Sequence, residues 1–185
     1  ILDHVKGSTV SNLSSTRALR DVTERHGCTY YAAAVGEVNV TTKMKEVGAV
    51  IGGEGNGGVI YPACHYGRDA LVGIALFLSS LAQKGCKASE LRATFPNYFM
   101  AKNRIDLKPT TDINAILEKV KDQYSSRKDV QVTTIDGVKL DFSDCWVHLR
   151  KSNTEPIIRV YSEAKSKEEA DTIGKKIMQE VERML

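Results

Sequence analysis

The sequence has little that would hold a metal ion or a membrane. Its four cysteines, Cys28, Cys64, Cys86 and Cys145, stand far apart with no C-x-x-C pair, which excludes the usual zinc and dithiol spacings. The four histidines, His4, His26, His65 and His148, lack the i, i+4 spacing that puts two ligands on one helix face. Long apolar runs are missing too. The longest, Ala70 to Leu78, ends in Ser79 and Ser80, falls well short of the roughly 20 residues a membrane span needs, and reads as a buried helix. Aromatics are 6% of the chain, and 26 basic residues interspersed with 23 acidic ones leave a net charge of +3. That balance provides neither a stacking platform for nucleic acid nor a broad cationic face for nucleic acid or anionic lipid, so any anion site must be local. With no signal-peptide pattern at the start, a reducing cytoplasm is the expected setting.

What is present is enough apolar residue, 42% of 185, for one large domain or two modest ones. Helix and strand alternate first. A strand region over Asp3–Ser11 leads to a helix over Thr16–His26, capped by Ser14 or Ser15 and stopped by Gly27. A strand over Cys28–Val35, a helix over Val38–Glu46 stopped by Gly48, and a short apolar strand over Ala49–Gly52 follow. Helices over Arg68–Lys84 and Ala88–Thr94 complete this part, which predicts an α/β domain with a parallel-type sheet over residues 1–100. Pro96 and Pro109 bracket a polar stretch, Asn97–Lys108, so residues 101–109 read as a linker or hinge. The remainder, 110–185, predicts a smaller α+β domain with an antiparallel sheet. It has a helix over Ile113–Tyr124, a hairpin through Asp136-Gly137, strands over Cys145–Leu149 and Ile157–Tyr161, and a last helix opened by the capping box Ser166/Glu169. The chain opens on Ile1 as if in the middle of a fold, and is expected to be a piece of a longer protein.

Two loops carry chemistry. Gly52-Gly53-Glu54-Gly55-Asn56-Gly57-Gly58 follows an apolar strand, at the strand end where open α/β sheets bind ligands. It contains G-x-G-x-x-G, yet a dinucleotide site needs a helix next, and Val59-Ile60-Tyr61-Pro62 reads as a strand. A carboxylate on a glycine turn repels pyrophosphate and accepts hydrogen bonds from hydroxyls, so the loop suits a neutral polyol; a plain hairpin turn fits the same residues. The second loop, Arg150-Lys151-Ser152-Asn153-Thr154-Glu155-Pro156, reverses the polarity. Two cations, two hydroxyls and an asparagine tolerant of left-handed backbone suit a phosphate, with Arg150 as a bidentate fork and Lys151 as a point charge. A solvated surface turn is the alternative.

Taken in this order, the two loops resemble the third and fourth domains of the α-D-phosphohexomutase family, which includes phosphoglucomutase, phosphomannomutase and phosphoglucosamine mutase. Gly53-Glu54-Gly55-Asn56-Gly57 resembles the family's sugar-selecting G-E-x-S-G loop. Arg150-Lys151-Ser152-Asn153-Thr154-Glu155-Pro156 matches its R-x-S-[GN]-T-x-P phosphate loop throughout. Val35-Gly36 resembles a V-G turn, Tyr66-Gly67-Arg68-Asp69 also resembles family sequence, and the stretch through Arg159 and Glu163 looks like the continuation of the phosphate loop. There are departures: Asn56 where serine is common, Gly58 where histidine is frequent, and Val38 where many members have a cation. The resemblance implies sugar contacts from Gly53, Glu54, Gly55 and Asn56, and phosphate contacts from Arg150, Lys151, Ser152, Asn153 and Thr154. It also implies a complete enzyme that interconverts hexose 1-phosphate and hexose 6-phosphate through a bisphosphorylated intermediate. A phosphoserine, Mg²⁺ and a hexose bisphosphate activator would belong to that enzyme. No D-x-D-x-D run or serine-loop motif occurs here, so the chain is expected to bind a hexose phosphate, to depend on N-terminal domains of the same protein for turnover, and to be inactive alone. A free-standing sugar-phosphate-binding module is the competing expectation.

Overall fold

The computed structural model describes residues 1–152 and 154–185, and these divide into two compact units, Ile1–Asn97 and Tyr98–Leu185. Unit 1 holds β1 (Thr9–Asn12), α1 (Ala18–Arg25), β2 (Tyr30–Ala33), α2 (Glu37–Val47), β3 (Ile51–Gly53), β4 (Val59–Ile60), α3 (Ala70–Lys84) and α4 (Ala88–Ala93). Its sheet runs β2-β1-β3-β4, with β1 parallel to both neighbours and β4 turned back antiparallel on β3. All of β1 is buried although three of its four residues are polar. Their side chains are therefore paired: the Thr9 and Thr23 hydroxyls lie 2.7 Å apart, and the Ser11 hydroxyl lies 2.9 Å from that of Tyr30. Val10, Val40, Met44 and Ile60 form the core, each worth about 1.5–3 kcal/mol when fully buried. Gly48, at φ 61°, closes α2 in the left-handed conformation and turns the chain toward β3.

The apolar run expected as a buried helix is a helix from Ala70 but is not buried. None of its residues is, and Leu71 and Leu78 are 78% and 56% exposed. Apolar residues all round a helix do not say which face packs, and the strand beside α3 is only two residues long. Contact comes at Gly73, where an added Cβ would lie 3.1 Å from Val59 Cγ2.

Unit 2 holds β5 (Phe99–Asp106), α5 (Ile113–Ser125), β6 (Val130–Thr133), β7 (Val138–Phe142), β8 (Trp146–Lys151), β9 (Ile157–Ala164) and α6 (Lys167–Glu182). The sheet is antiparallel throughout, in the order β5-β9-β8-β7-β6. Residues 101–109, expected as a linker, instead supply most of β5, an edge strand paired with β9 along its whole length. Only Ile105 of this strand is buried. An edge strand carrying Lys102, Arg104 and Asp106 is polar because unpaired edges are protected by charge, and such polarity mimics a linker. Ile116, Leu117, Val120 and Tyr124 of α5 and Ile177 and Val181 of α6 pack with Leu140, Leu149, Ile158 and Val160 of the sheet. The capping box holds as expected, with Glu169 N–H donating to Ser166 Oγ (3.1 Å) and Ser166 N–H to Glu169 Oε2 (3.0 Å).

Candidate functional site

The glycine loop of unit 1 is tight because its glycines are needed. A Cβ on Gly53 would lie 2.2 Å from the Gly58 carbonyl oxygen, the acceptor to which Glu54 N–H donates at 2.9 Å. Gly57 sits at φ 93°, and the Asn56 side-chain oxygen accepts from Gly58 N–H at 3.1 Å. One end of the Asn56 amide is thus spent on the turn, while Gly55 rests against Ser15. Beside the loop lies a cavity of about 290 Å³ bounded by Ser11, Ser15, Thr16 and Leu19.

Glu54 is the best-anchored residue in the loop, its side chain only 5% exposed. Its Oε1 accepts from Asn12 Nδ2 (3.0 Å) and from the backbone N–H of Gly36 (3.2 Å), and its Oε2 lies 3.3 Å from Arg68 Nη1. Asn12 is oriented in turn by Ser14 N–H and the Ser15 hydroxyl, both donating to its Oδ1. Gly36, at φ 121°, is the N-cap of α2, so the V-G turn meets the glycine loop through the Glu54 carboxylate. Arg68 is tethered by Glu37, which accepts from its backbone N–H (3.0 Å) and from its Nε (2.8 Å). Those two bonds, the backbone one foremost, hold the Glu37 carboxyl below its usual range. Val38 is 75% exposed and brings no charge. Asp69 caps α3, accepting from Val72 N–H at 2.9 Å and, through its other oxygen, lying 2.9 Å from His65 Nε2. The Val72 bond leads the causes that lower its carboxyl pKa. Asn12, Gly36 N–H and Arg68 as partners of Glu54 escape the sequence reading. The one available signal was Asn12 at the end of a parallel strand.

In unit 2, Arg150 and Lys151 are the last residues of β8 and not part of the turn. Strand alternation puts their side chains on opposite faces. Ser152 is buried, its N–H closing the turn onto the Ile157 carbonyl at 3.1 Å, and Thr154 N–H donates to the Ser152 hydroxyl at 3.4 Å. Asn153 lies outside the described residues. Arg150 is cross-strand partner to Arg159, and Arg159 to Arg104, so three arginines share one row of the sheet. A carboxylate balances each: Asp136 lies 3.7 Å from Arg150, Glu155 3.8 Å from Arg159 and Asp106 3.3 Å from Arg104. Next to Arg150, His148 is almost fully buried, and burial pushes its imidazole down to about 4 although its Nε2–H donates to the Asp136 carbonyl at 2.6 Å.

The arrangement offers two chemistries on two units. A fixed carboxylate beside a guanidinium can take a hydroxyl's proton side and its oxygen side at once, and clustered arginines with hydroxyls and backbone N–H groups suit a phosphate. Among the described residues no group of three or more His, Cys, Asp or Glu is placed to hold a metal ion, so the donor set for the Mg²⁺ that the resemblance implies is not found among them. No described helix is long and apolar enough to cross a membrane.

Comparison with known proteins gives consistent matches. Residues 2–98 match the phosphoglucomutase/phosphomannomutase α/β/α domain III, and residues 109–180 match the phosphoglucomutase/phosphomannomutase C-terminal domain. A phosphoglucosamine/phosphogalactosamine mutase of Sulfurisphaera tokodaii is 35% identical over 94% of this chain and 38% of its own length. A phosphoglucomutase/phosphomannomutase of Thermococcus kodakarensis is 37% identical, again over 94% of this chain and 38% of its own length. The crystal structure of a phosphoglucomutase/phosphomannomutase family protein of Burkholderia thailandensis aligns with TM-score 0.76 over 96% of this chain and 37% of that one, at 24% identity, which speaks for the fold alone. The chain thus spans a little over a third of the length of these relatives.

Proposed function

The chain belongs to the phosphoglucomutase/phosphomannomutase family, and on that premise we propose that it is the substrate-binding part of a mutase that moves a phosphoryl group between the 1- and 6-oxygens of a hexose. Glu54, with Gly53, Gly55 and Asn56 forming its turn, reads sugar hydroxyls. Arg150, Ser152, Asn153 and Thr154, with Lys151 adding charge, hold the phosphate that is not reacting. The observation that carries this reading is the Glu54 carboxylate, fixed on one oxygen by Asn12 and Gly36 and turned on the other to Arg68. A carboxylate held that firmly on a glycine turn makes a preorganised acceptor for a polyol. A bisphosphorylated intermediate must present either end, so a fixed anion socket serves both orientations. A phosphoserine, Mg²⁺ and a hexose bisphosphate activator belong, on this reading, to the part of the protein beyond this chain, and the chain alone binds without turning over. Because relatives bear both names, glucose or mannose phosphates are the first reading of the substrate and glucosamine phosphates the second.

The test is an NMR titration of the chain with glucose 1-phosphate and glucose 6-phosphate, using glucose and inorganic phosphate as controls. Both sugar phosphates should shift resonances of Arg150 to Thr154, and Arg150→Ala should weaken their binding by about 1.5–3 kcal/mol, less the cost of drawing Arg150 away from Asp136 on binding. A variant that binds like the parent would remove the phosphate assignment.

A further inference from the structure

The three arginines in one row of the unit 2 sheet each face a carboxylate, and the three carboxylates are not alike. The Asp106 and Glu155 side chains are 72% and 50% exposed, so solvent screens their pairs with Arg104 and Arg159. Asp136 is only 23% exposed and faces Arg150, which is itself largely covered. This best-sheltered pair ties a carboxylate to a residue assigned above to the phosphate. We propose that Asp136 is the built-in counter-ion of Arg150, an anion that an incoming phosphate must displace, and that it sets how loosely the socket holds its ligand; this rests on the sugar-phosphate reading above.

Arg150 Nη1 and Asp136 Oδ2 stand 3.7 Å apart, which is longer than a hydrogen bond. The carboxylate therefore balances the guanidinium without filling the fork that a phosphate would use. The turn that carries it is pinned. The Asp136 carbonyl accepts from the buried His148 Nε2–H at 2.6 Å. At the next residue, a Cβ on Gly137 would lie 2.2 Å from the Leu149 carbonyl oxygen and 3.1 Å from Arg150 Cα. The hairpin turn is thus pressed against the strand end that carries the arginine, and only a glycine lets it come so close. A guanidinium keeps its charge at any working pH, so a phosphate dianion arriving at Arg150 meets a second anion that no retreat of the backbone removes. Relief comes from turning the two side chains apart, and the attraction lost in doing so is subtracted from binding. Such a competitor suits a socket that must release as well as hold. A mutase brings substrate, intermediate and product to the same anchor, and holding all of them tightly lowers KM without raising kcat. An internal anion that returns to Arg150 as the phosphate leaves shortens the bound state and keeps the fork in place.

The experiment titrates the 185-residue chain with inorganic phosphate and with glucose 6-phosphate, following the Arg150 side-chain N–H and the Asp136 carboxyl carbon by NMR. In the parent, both signals should move with one midpoint for each ligand, although a carboxylate itself offers a phosphate no hydrogen bond. Asp136→Asn keeps the turn, since Asn precedes Gly in such hairpins as readily as Asp does, and it removes the charge. It should tighten binding of both ligands about fivefold, the scale of a partly exposed ion pair. Asp136→Ala, which brings no new donor, should do the same. Asp106→Asn takes an equal charge from the far, solvent-screened end of the row and should change either affinity less than about twofold. A merely structural Asp136 gives the opposite sign, because a damaged turn weakens the socket. Unchanged or weaker binding in the folded Asp136 variants, equal tightening by Asp106→Asn, or a parent Asp136 signal that ignores the ligands would overturn this assignment and leave the sugar-phosphate reading standing. Should neither Asp136 variant fold, the carboxyl signal of the parent decides alone. A parent that answers neither ligand would remove both readings.

Discussion

Acid should weaken unit 2 through one imidazole. His148 is 1% exposed and kept neutral, its pKa lowered from 6.5 to about 4 by burial. Because the folded value lies below the unfolded one, the unfolded chain binds the extra proton first. Stability is therefore fully present above about pH 6.5 and is lost as pH falls through the window down to about 4, below which both states are protonated. At about 1.4 kcal/mol per pH unit the loss reaches about 3 kcal/mol, a large share of the stability of a unit this size. Trp146 is the only tryptophan in the chain, is fully buried and lies two residues from His148 on the same strand, so its fluorescence follows unfolding of unit 2. Urea unfolding by that signal at pH 7, 6, 5 and 4 should lose stability progressively, and His148→Gln, which can still donate to the Asp136 carbonyl but does not titrate, should lose about 3 kcal/mol less over the same range. Asp3, held near 2 by His26 and Lys84, belongs to unit 1 and titrates below this window. Parallel pH profiles for the two proteins, or an imidazole that titrates by NMR near 6.5, would refute the argument.

Two further substitutions test the turns. Gly53→Ala sets a Cβ 2.2 Å from the Gly58 carbonyl, which no side-chain movement relieves; amide exchange should rise across Glu54 to Val59 while the Trp146 fluorescence of unit 2 stays as in the parent. Gly137→Ala combines φ 71° with a Cβ 2.2 Å from the Leu149 carbonyl, so it should cost about 2 kcal/mol or more in urea unfolding and broaden Arg150, which the same turn holds through Asp136.

Much of this was legible because some residues admit few alternatives. Asp136-Gly137 predicted a hairpin, and Gly137 does take the left-handed backbone that such a turn needs. Ser166 and Glu169 opened α6 as their spacing requires. The glycine cluster after an apolar strand marked the tight loop that carries Glu54, since glycine-rich turns at strand ends are where backbones approach one another. What stayed hidden was tertiary. β5 carries a charge at every second residue from Lys102 to Asp106 and stands between two prolines, so nothing local separates it from a linker; only its pairing with β9 makes it a strand. α3 carries apolar residues on every side and gives no clue to its packed face. Asn12 and Arg68 are ordinary polar residues until the fold brings them, from distant parts of unit 1, to one carboxylate.

The place of β5 in its sheet sets when unit 2 can form. Its partner strand is the last one in the chain, and the pairing reaches from Phe99 to Ala164. Local pieces such as the β6–β7 hairpin can appear early, but closing the sheet waits for a loop that contains nearly the whole unit, and its entropy is lost before any contact repays it. During synthesis, β5 therefore leaves the ribosome as an unpaired strand and stays so until β9 has followed. The arginine row that reads across β5, β9 and β8 is accordingly among the last features of the unit to exist, and any delay in that step leaves β5 unpaired and the apolar strand β9, with Ile157, Ile158 and Val160, uncovered at the edge.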